Sequence, residues 1–150
     1  MADELAIVGF RPAHQDDARR LIVAGLAEHF DRFDPSRNPD LDDIAGTYGC
    51  DNFFVAFAGN RLIGTGGLIR ENEADCRIVR MSVENGHRRA GIGTTILNHL
   101  IAVAASRGYT RIVLETTVDW HRARSFYRAN GFDVVDIDEA RGEINFERHL

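Results

Sequence analysis

Ile78-Val79-Arg80-Met81-Ser82-Val83 runs into Glu84-Asn85-Gly86-His87-Arg88-Arg89-Ala90-Gly91-Ile92-Gly93-Thr94, and an apolar-periodic segment continues to Ala105. The first six residues read as a strand, and Ile92 to Ala105 reads as a helix. Between them lie two arginines and two glycines. Strand, glycine-bearing turn and helix together suit an anion. The first turn of a helix leaves backbone N–H groups without partners, and the macrodipole adds positive charge there. Glycines let a bulky phosphate approach that backbone. A dinucleotide fingerprint would need a third glycine where Ile96 stands, and a nucleotide P-loop would need a Gly-Lys pair that is absent. The pattern present is Arg88-Arg89-Ala90-Gly91-Ile92-Gly93. By itself it also describes a helix N-terminus with a solvated arginine pair.

The chain has 150 residues, 44% of them hydrophobic, which suits one globular domain spanning 1–150. Its formal net charge is −5, with no long block of like charge. A nucleic-acid partner is therefore not expected, and an acidic surface is compatible with a cationic amine. Cys50 and Cys76 form no metal or disulfide spacing, so reduced thiols in a cytoplasmic protein are the simple reading. The start, Met-Ala-Asp-Glu-Leu-Ala-Ile-Val, carries neither a basic region nor a long apolar run, and no membrane partner is expected. His14, His29, His87, His99 and His121 show no ligand spacing, so no metal is expected.

Working outward, Leu5 to Phe10 reads as a first strand ended by Arg11-Pro12. A helix follows with Asp16 and Asp17 in its first turn and Leu21, Ile22, Gly25, Leu26 and Phe30 on one apolar face. Two prolines within 31–39 stop it, and a short helix is expected over Asp40 to Thr47. Asn52 to Ala58, a Gly59-Asn60 turn and Arg61 to Arg70 read as a hairpin. Gly64, Gly66 and Gly67 within it mark a bulge or a close ligand approach. Cys76 to Val83 makes the third strand of a meander. Beyond the central helix come a strand at Arg111 to Thr116, a helix capped by Asp119 and stopped by Gly131, and a hairpin of Phe132 to Ile137 with Glu143 to Arg148. The order is β-α-α-β-β-β-α-β-α-β-β. The crossover around 76–116 should be parallel and right-handed, giving an α/β fold with a mixed sheet flanked by helices. Ligands of such sheets sit at the C-terminal ends of the parallel strands.

Ala123-Arg124-Ser125-Phe126-Tyr127-Arg128-Ala129-Asn130-Gly131-Phe132 supplies a second, more specific pattern, A-x-x-[FL]-Y-x-x-x-G-F. With the Arg-Gly loop one helix and one strand before it, and Phe10-Arg11-Pro12-Ala13 with Asp17 near the start, the chain resembles the GNAT superfamily of acyl-CoA N-acyltransferases over nearly its whole length. The resemblance implies the GNAT fold, with a central twisted mixed sheet, and an acetyl-CoA-dependent N-acetyltransferase. Met81 and Val83 would pair their backbone with the pantetheine amides of coenzyme A. Backbone N–H groups of Arg88, Arg89, Ala90, Gly91, Ile92, Gly93 and Thr94 would cradle its pyrophosphate, with the two arginine side chains adding charge-assisted bonds. Tyr127 would meet the departing thiolate. A phenol near ~10 facing a thiol near ~8.5 is uphill for proton transfer by roughly 2 kcal/mol, which favours hydrogen bonding over complete transfer.

The chain departs from the family pattern twice. Trp120 stands where an Asn usually touches the cofactor, and it either packs on the pantetheine or in the core. Arg77 stands where many members carry a Glu base. Glu71, Glu73, Asp75 and Glu115 are the carboxylates near that place, and Glu115 or Glu73 acting through water is the expectation. A lysine amine near ~10.4 is neutral about once in 2,500 at pH 7, whereas an α-amine near ~7.8 is neutral roughly one time in seven. The need for a base therefore depends on the acceptor, a small-molecule amine or a peptide or protein amine. His29-Phe30-Asp31-Arg32-Phe33-Asp34 lies where the family shapes its acceptor pocket. Members of the family often pair through sheet edges or terminal strands, so the resemblance leaves a homodimer open without fixing the oligomeric state. The competing class is a CoA-binding sensor or interaction module that has lost catalysis, supported by the missing Glu and Asn.

Overall fold

The computed structural model describes residues 4–30, 32–88 and 91–150. Among the described residues, seven strands and four α-helices follow the expected order: β1 (Leu5–Gly9), α1 (Gln15–Phe30), α2 (Ile44–Tyr48), β2 (Phe53–Ala58), β3 (Arg61–Arg70), β4 (Asp75–Val83), α3 (Ile92–Ser106), β5 (Arg111–Thr117), α4 (His121–Ala129), β6 (Asp133–Asp138) and β7 (Glu143–His149). The strands form one mixed sheet in the order β1-β2-β3-β4-β5-β7-β6. By internal contacts the chain divides into two compact units, Met1–Leu68 with Val79–Leu100, and Ile69–Ile78 with Ile101–Leu150.

In the first unit β1, β2 and β3 pair antiparallel, with Leu5 opposite Ala58 and Phe53 opposite Gly67. The ladder shifts between Ala56, opposite Gly64, and Phe57, opposite Leu62, so β3 carries one extra residue there. The three β3 glycines answer mainly to packing. A Cβ at Gly64 would strike the Ile96 side chain of α3. One at Gly66 would lie 2.9 Å from Leu100 Cδ1 and 3.0 Å from Met81 Sδ, and one at Gly67 would lie 2.8 Å from the Phe53 ring. The expected bulge is present, and the close neighbours are the protein's own side chains. Phe10, Ala18, Ile22, Leu41, Ile44, Phe53 and Val55 fill the core beneath α1 and α2.

Two expectations change here. Residues 40–47 do not form one helix. Pro39–Asp42 makes a 3-10 turn, and α2 starts only at Ile44, because the Asp43 carboxylate accepts from the Gly46 N–H at 2.9 Å and caps the helix there. Phe30 does not face the core. It is 48% exposed, because the last turn of α1 runs beyond the Ala18–Ile22 stretch that is covered.

In the second unit β4 and β5 pair in parallel, Asp75 opposite Arg111 and Arg77 opposite Val113, as the crossover requires. The final hairpin places β7, not β6, beside β5. The side chains explain the choice. Ile144 and Phe146 of β7 are fully buried, as a central strand requires, whereas Asp133, Asp136 and Asp138 suit β6 to the edge. Asp119 does not occupy the cap of α4. Its carbonyl accepts the His121 N–H at 3.0 Å, and Trp120 takes the cap position with no side-chain cap bond. Gly131 closes α4 at φ 86°, a conformation costly for any residue with a Cβ.

Candidate active site

The loop expected to hold the cofactor starts in the first unit, at the end of β4. From Val83 the chain makes a 3-10 turn over Asn85–His87 and reaches Gly91, whose φ of 76° needs a glycine. Nothing crowds the Gly91 Cβ position, so backbone conformation alone selects the residue. Its carbonyl accepts from the Thr95 N–H at 3.0 Å and the Thr95 hydroxyl at 2.9 Å, which seats the start of α3. Ile92, Gly93 and Thr94 form the first turn, where helix geometry leaves N–H groups without intrahelical partners. Arg89 and Ala90, expected to share in the cradle, lie outside the described residues.

Arg88 is held within the protein. Its Nε donates to the Val83 carbonyl at 3.1 Å, and Nη1 and Nη2 reach the two Glu28 oxygens at 2.7 and 3.1 Å. Glu28 belongs to α1, which comes close to β4: a Cβ on Gly25 would be 3.3 Å from Ser82 Oγ. Leu21, Gly25, Glu28, Val83, Asn85 and Arg88 line a cleft of about 120 Å³ between α1 and the end of β4. Met81 and Val83 are half-buried on β4.

Sequence reasoning missed the residue between them and the strand's start. Arg80 has φ 53°, the one described non-glycine residue with positive φ. Its guanidinium grips Asp40 with two bonds, Nε to Oδ2 at 2.8 Å and Nη2 to Oδ1 at 2.7 Å, and adds Asn38 Oδ1 at 3.0 Å. Tyr48 donates its hydroxyl to the same Asp40 carboxylate at 2.5 Å. Burial pushes the Asp40 carboxyl up, but the bonds from Arg80 and Tyr48 outweigh it and leave it below the usual carboxylate range. Burial, then Asp40, push the Tyr48 phenol up to about 12. Only the arginine inside an apolar strand hinted at this cluster. Its partners lie some forty residues away, and one sequence does not pair them.

Tyr127, Trp120 and the candidate bases lie in the second unit. Tyr127 is 7% exposed, its ring edge-on to Phe126 and Phe132 and tilted against Phe146. Burial drives its phenol well above the ordinary tyrosine range. The hydroxyl therefore stays protonated at neutral pH and can donate. Trp120 is half-buried at the cap of α4. Glu115 and Glu73 are both exposed, Glu115 opposite Asn145 on β7. Arg77 donates to Glu71 at 2.5 Å. Four half-buried carboxylates are each paired with an arginine: Asp40 with Arg80, Asp75 and Glu147 with Arg111, and Glu84 with Arg61. Among the described residues no group of three or more His, Cys, Asp or Glu is arranged to hold a metal, and no helix is long and apolar enough to cross a membrane.

Residues 13–132 match the family model described as "Acetyltransferase (GNAT) family". The chain belongs to the GNAT acetyltransferase family. This GNAT chain is 34% identical over 93 residues to the "Uncharacterized N-acetyltransferase YsnE" of Bacillus subtilis (strain 168), covering 61% of this chain and 62% of that one. It spans about half the length of the curated relatives it matches, from 44% to 62%. In fold it is similar to a GNAT-family acetyltransferase of Staphylococcus aureus Mu50, with TM-score 0.86 and 23% identity over 98% of this chain and 99% of that one. It is also similar to the PaiA N-acetyltransferase of Thermoplasma acidophilum, solved in complex with coenzyme A, with TM-score 0.81 and 16% identity over 98% and 99% of the two chains.

Proposed function

We propose that this GNAT chain is one catalytic domain that moves an acetyl group from acetyl-CoA to a primary amine by direct attack. The observation that carries the reading is Gly91 at φ 76° leading into the first turn of α3, a backbone geometry that suits an anion. The coenzyme A in the PaiA structure supports the same ligand. In the reaction the amine nitrogen attacks the thioester carbonyl, the tetrahedral intermediate collapses, and the C–S bond breaks. The leaving thiolate takes a hydrogen bond from the Tyr127 hydroxyl, and the new amide nitrogen gives its proton to water. Because burial lifts the Tyr127 phenol further above the thiol than its ordinary value, donation without complete transfer is the role that fits. Exposed Glu115 or Glu73 would relay the proton through water. With the candidate bases Glu115 and Glu73 both exposed, an amine that is partly neutral near pH 7, such as an α-amine, fits this reading better than a lysine.

Thiol release from acetyl-CoA with a panel of amines, with mass detection of the product, tests this. Acetylated product supports the reading, and CoA binding without turnover for any amine replaces it with the sensor reading. Arg77 in place of the family's Glu and Trp120 in place of its Asn are what favour that second reading. Cytoplasmic function fits two cysteines without disulfide spacing. Self-association through the β6 edge fits the exposure of Val135 and Ile137, at 54% and 50%, and sedimentation of the purified chain measures it.

A further inference from the structure

Arg80 combines three features that rarely coincide. It holds a left-handed backbone inside a strand, at a cost of about 1–3 kcal/mol for a residue with a Cβ. Its side chain, 19% exposed, forms a two-pronged pair with Asp40, 16% exposed, forty positions earlier. Its carbonyl accepts from the hydroxyl of Thr65, a fully buried side chain on β3, at 2.8 Å. Thr65 is the only polar residue among the fully buried described ones, and this bond satisfies it. Such a conformation persists only where its surroundings impose it. Here they do so from both ends, through Asp40 with Tyr48 on the side chain and Thr65 on the carbonyl.

From this geometry we infer that Arg80 is a positioning residue for the pantetheine arm: the Asp40–Tyr48 clamp fixes the turn in β4 at residue 80, and so sets the direction of the Met81–Val83 backbone against which the arm pairs. The inference rests on the coenzyme A reading above and deepens it. The pyrophosphate cradle begins beyond Val83, past the 3-10 turn, and the start of α3 is seated by its own contact, the Gly91 carbonyl accepting from Thr95. Loosening the clamp should therefore affect one half of the cofactor and spare the other.

Calorimetry with two ligands tests this, coenzyme A and adenosine 3′,5′-bisphosphate, which lacks the arm. Arg80→Lys keeps the charge but loses the fork. It should weaken coenzyme A about tenfold and leave the bisphosphate within about twofold. Tyr48→Phe, which removes one bond to Asp40, should give a smaller loss in the same direction and serves as the readout if Arg80→Lys does not fold. Equal loss for both ligands would mean a merely structural residue and overturn the inference, as would no loss for either. Wild-type protein that binds neither ligand overturns the cofactor reading itself, and the clamp's role with it. Wild-type binding with unchanged variants overturns the clamp alone.

Discussion

Arg88 and Glu28 sit fork to fork, Nη1 to Oε1 at 2.7 Å and Nη2 to Oε2 at 3.1 Å, so the loop arginine expected on a phosphate is held by α1 instead. The Glu28 side chain is 42% exposed, and a pair that open to water is worth at most about 1 kcal/mol. Charge-assisted bonds to a phosphate match or exceed that. Arg88 is therefore expected to leave Glu28 when coenzyme A binds. Glu28→Gln should tighten coenzyme A about threefold, and Arg88→Ala should weaken it about tenfold, both by calorimetry at fixed salt. An arginine that stays on Glu28 predicts no change in either variant.

The hydroxyl of Tyr127 is the group assigned to the departing thiolate. Its ring packs between Phe126, Phe132 and Phe146, so Tyr127→Phe keeps the packing and removes one oxygen. Steady-state kinetics should show kcat lower by about 10²-fold, with KM for acetyl-CoA changed less than about threefold. Unchanged kcat would remove Tyr127 from the mechanism. Because burial holds the phenol above its ordinary value, the kcat profile of the wild-type enzyme should show no tyrosine ionisation up to about pH 10.

Asp75 gives a pH signature of stability. Arg111, helped by Asn72, holds its carboxyl down to about 2, against an ordinary value of 3.8. A depressed carboxyl contributes stability above its unfolded value and loses that contribution as pH falls through the folded one. The melting temperature should accordingly fall between about pH 4 and pH 2, and the Asp75→Asn curve should be flatter over that window. Parallel curves would assign acid sensitivity to other carboxylates.

The β3 glycines separate packing from conformation. Gly66→Ala inserts a methyl group 2.9 Å from Leu100 Cδ1 and 3.0 Å from Met81 Sδ, and should cost about 1–3 kcal/mol in urea unfolding. Gly86→Ala meets no atom within 4 Å and needs no positive φ, so it should fall within about 0.5 kcal/mol of wild type or gain slightly. A neutral Gly66→Ala would mean that α3 moves off β3 freely.

Local chemistry made most of the fold legible. Gly59, Gly91 and Gly131 each sit at positive φ, where the chain must turn or a helix must start or stop, and periodicity placed the strands and helices between them. The Arg88–Gly93 loop and the Tyr127 motif were readable for the same reason, since backbone amides and a helix start are properties of consecutive residues. What escaped depends on distant partners. Asp43 displaced the expected start of α2, β7 took the place beside β5, and Arg88 turned to Glu28.

By itself the sequence determined the order of elements and the family, because period, turn chemistry and motif spacing act over a few residues. Tertiary structure alone decided that Arg80 is clamped by Asp40 and Tyr48, that Tyr127 is buried among Phe126, Phe132 and Phe146, and that Asp40, Asp75, Glu84 and Glu147 are paired with arginines. Those are matters of desolvation and charge pairing, and they exist only once residues forty positions apart share one low-dielectric place.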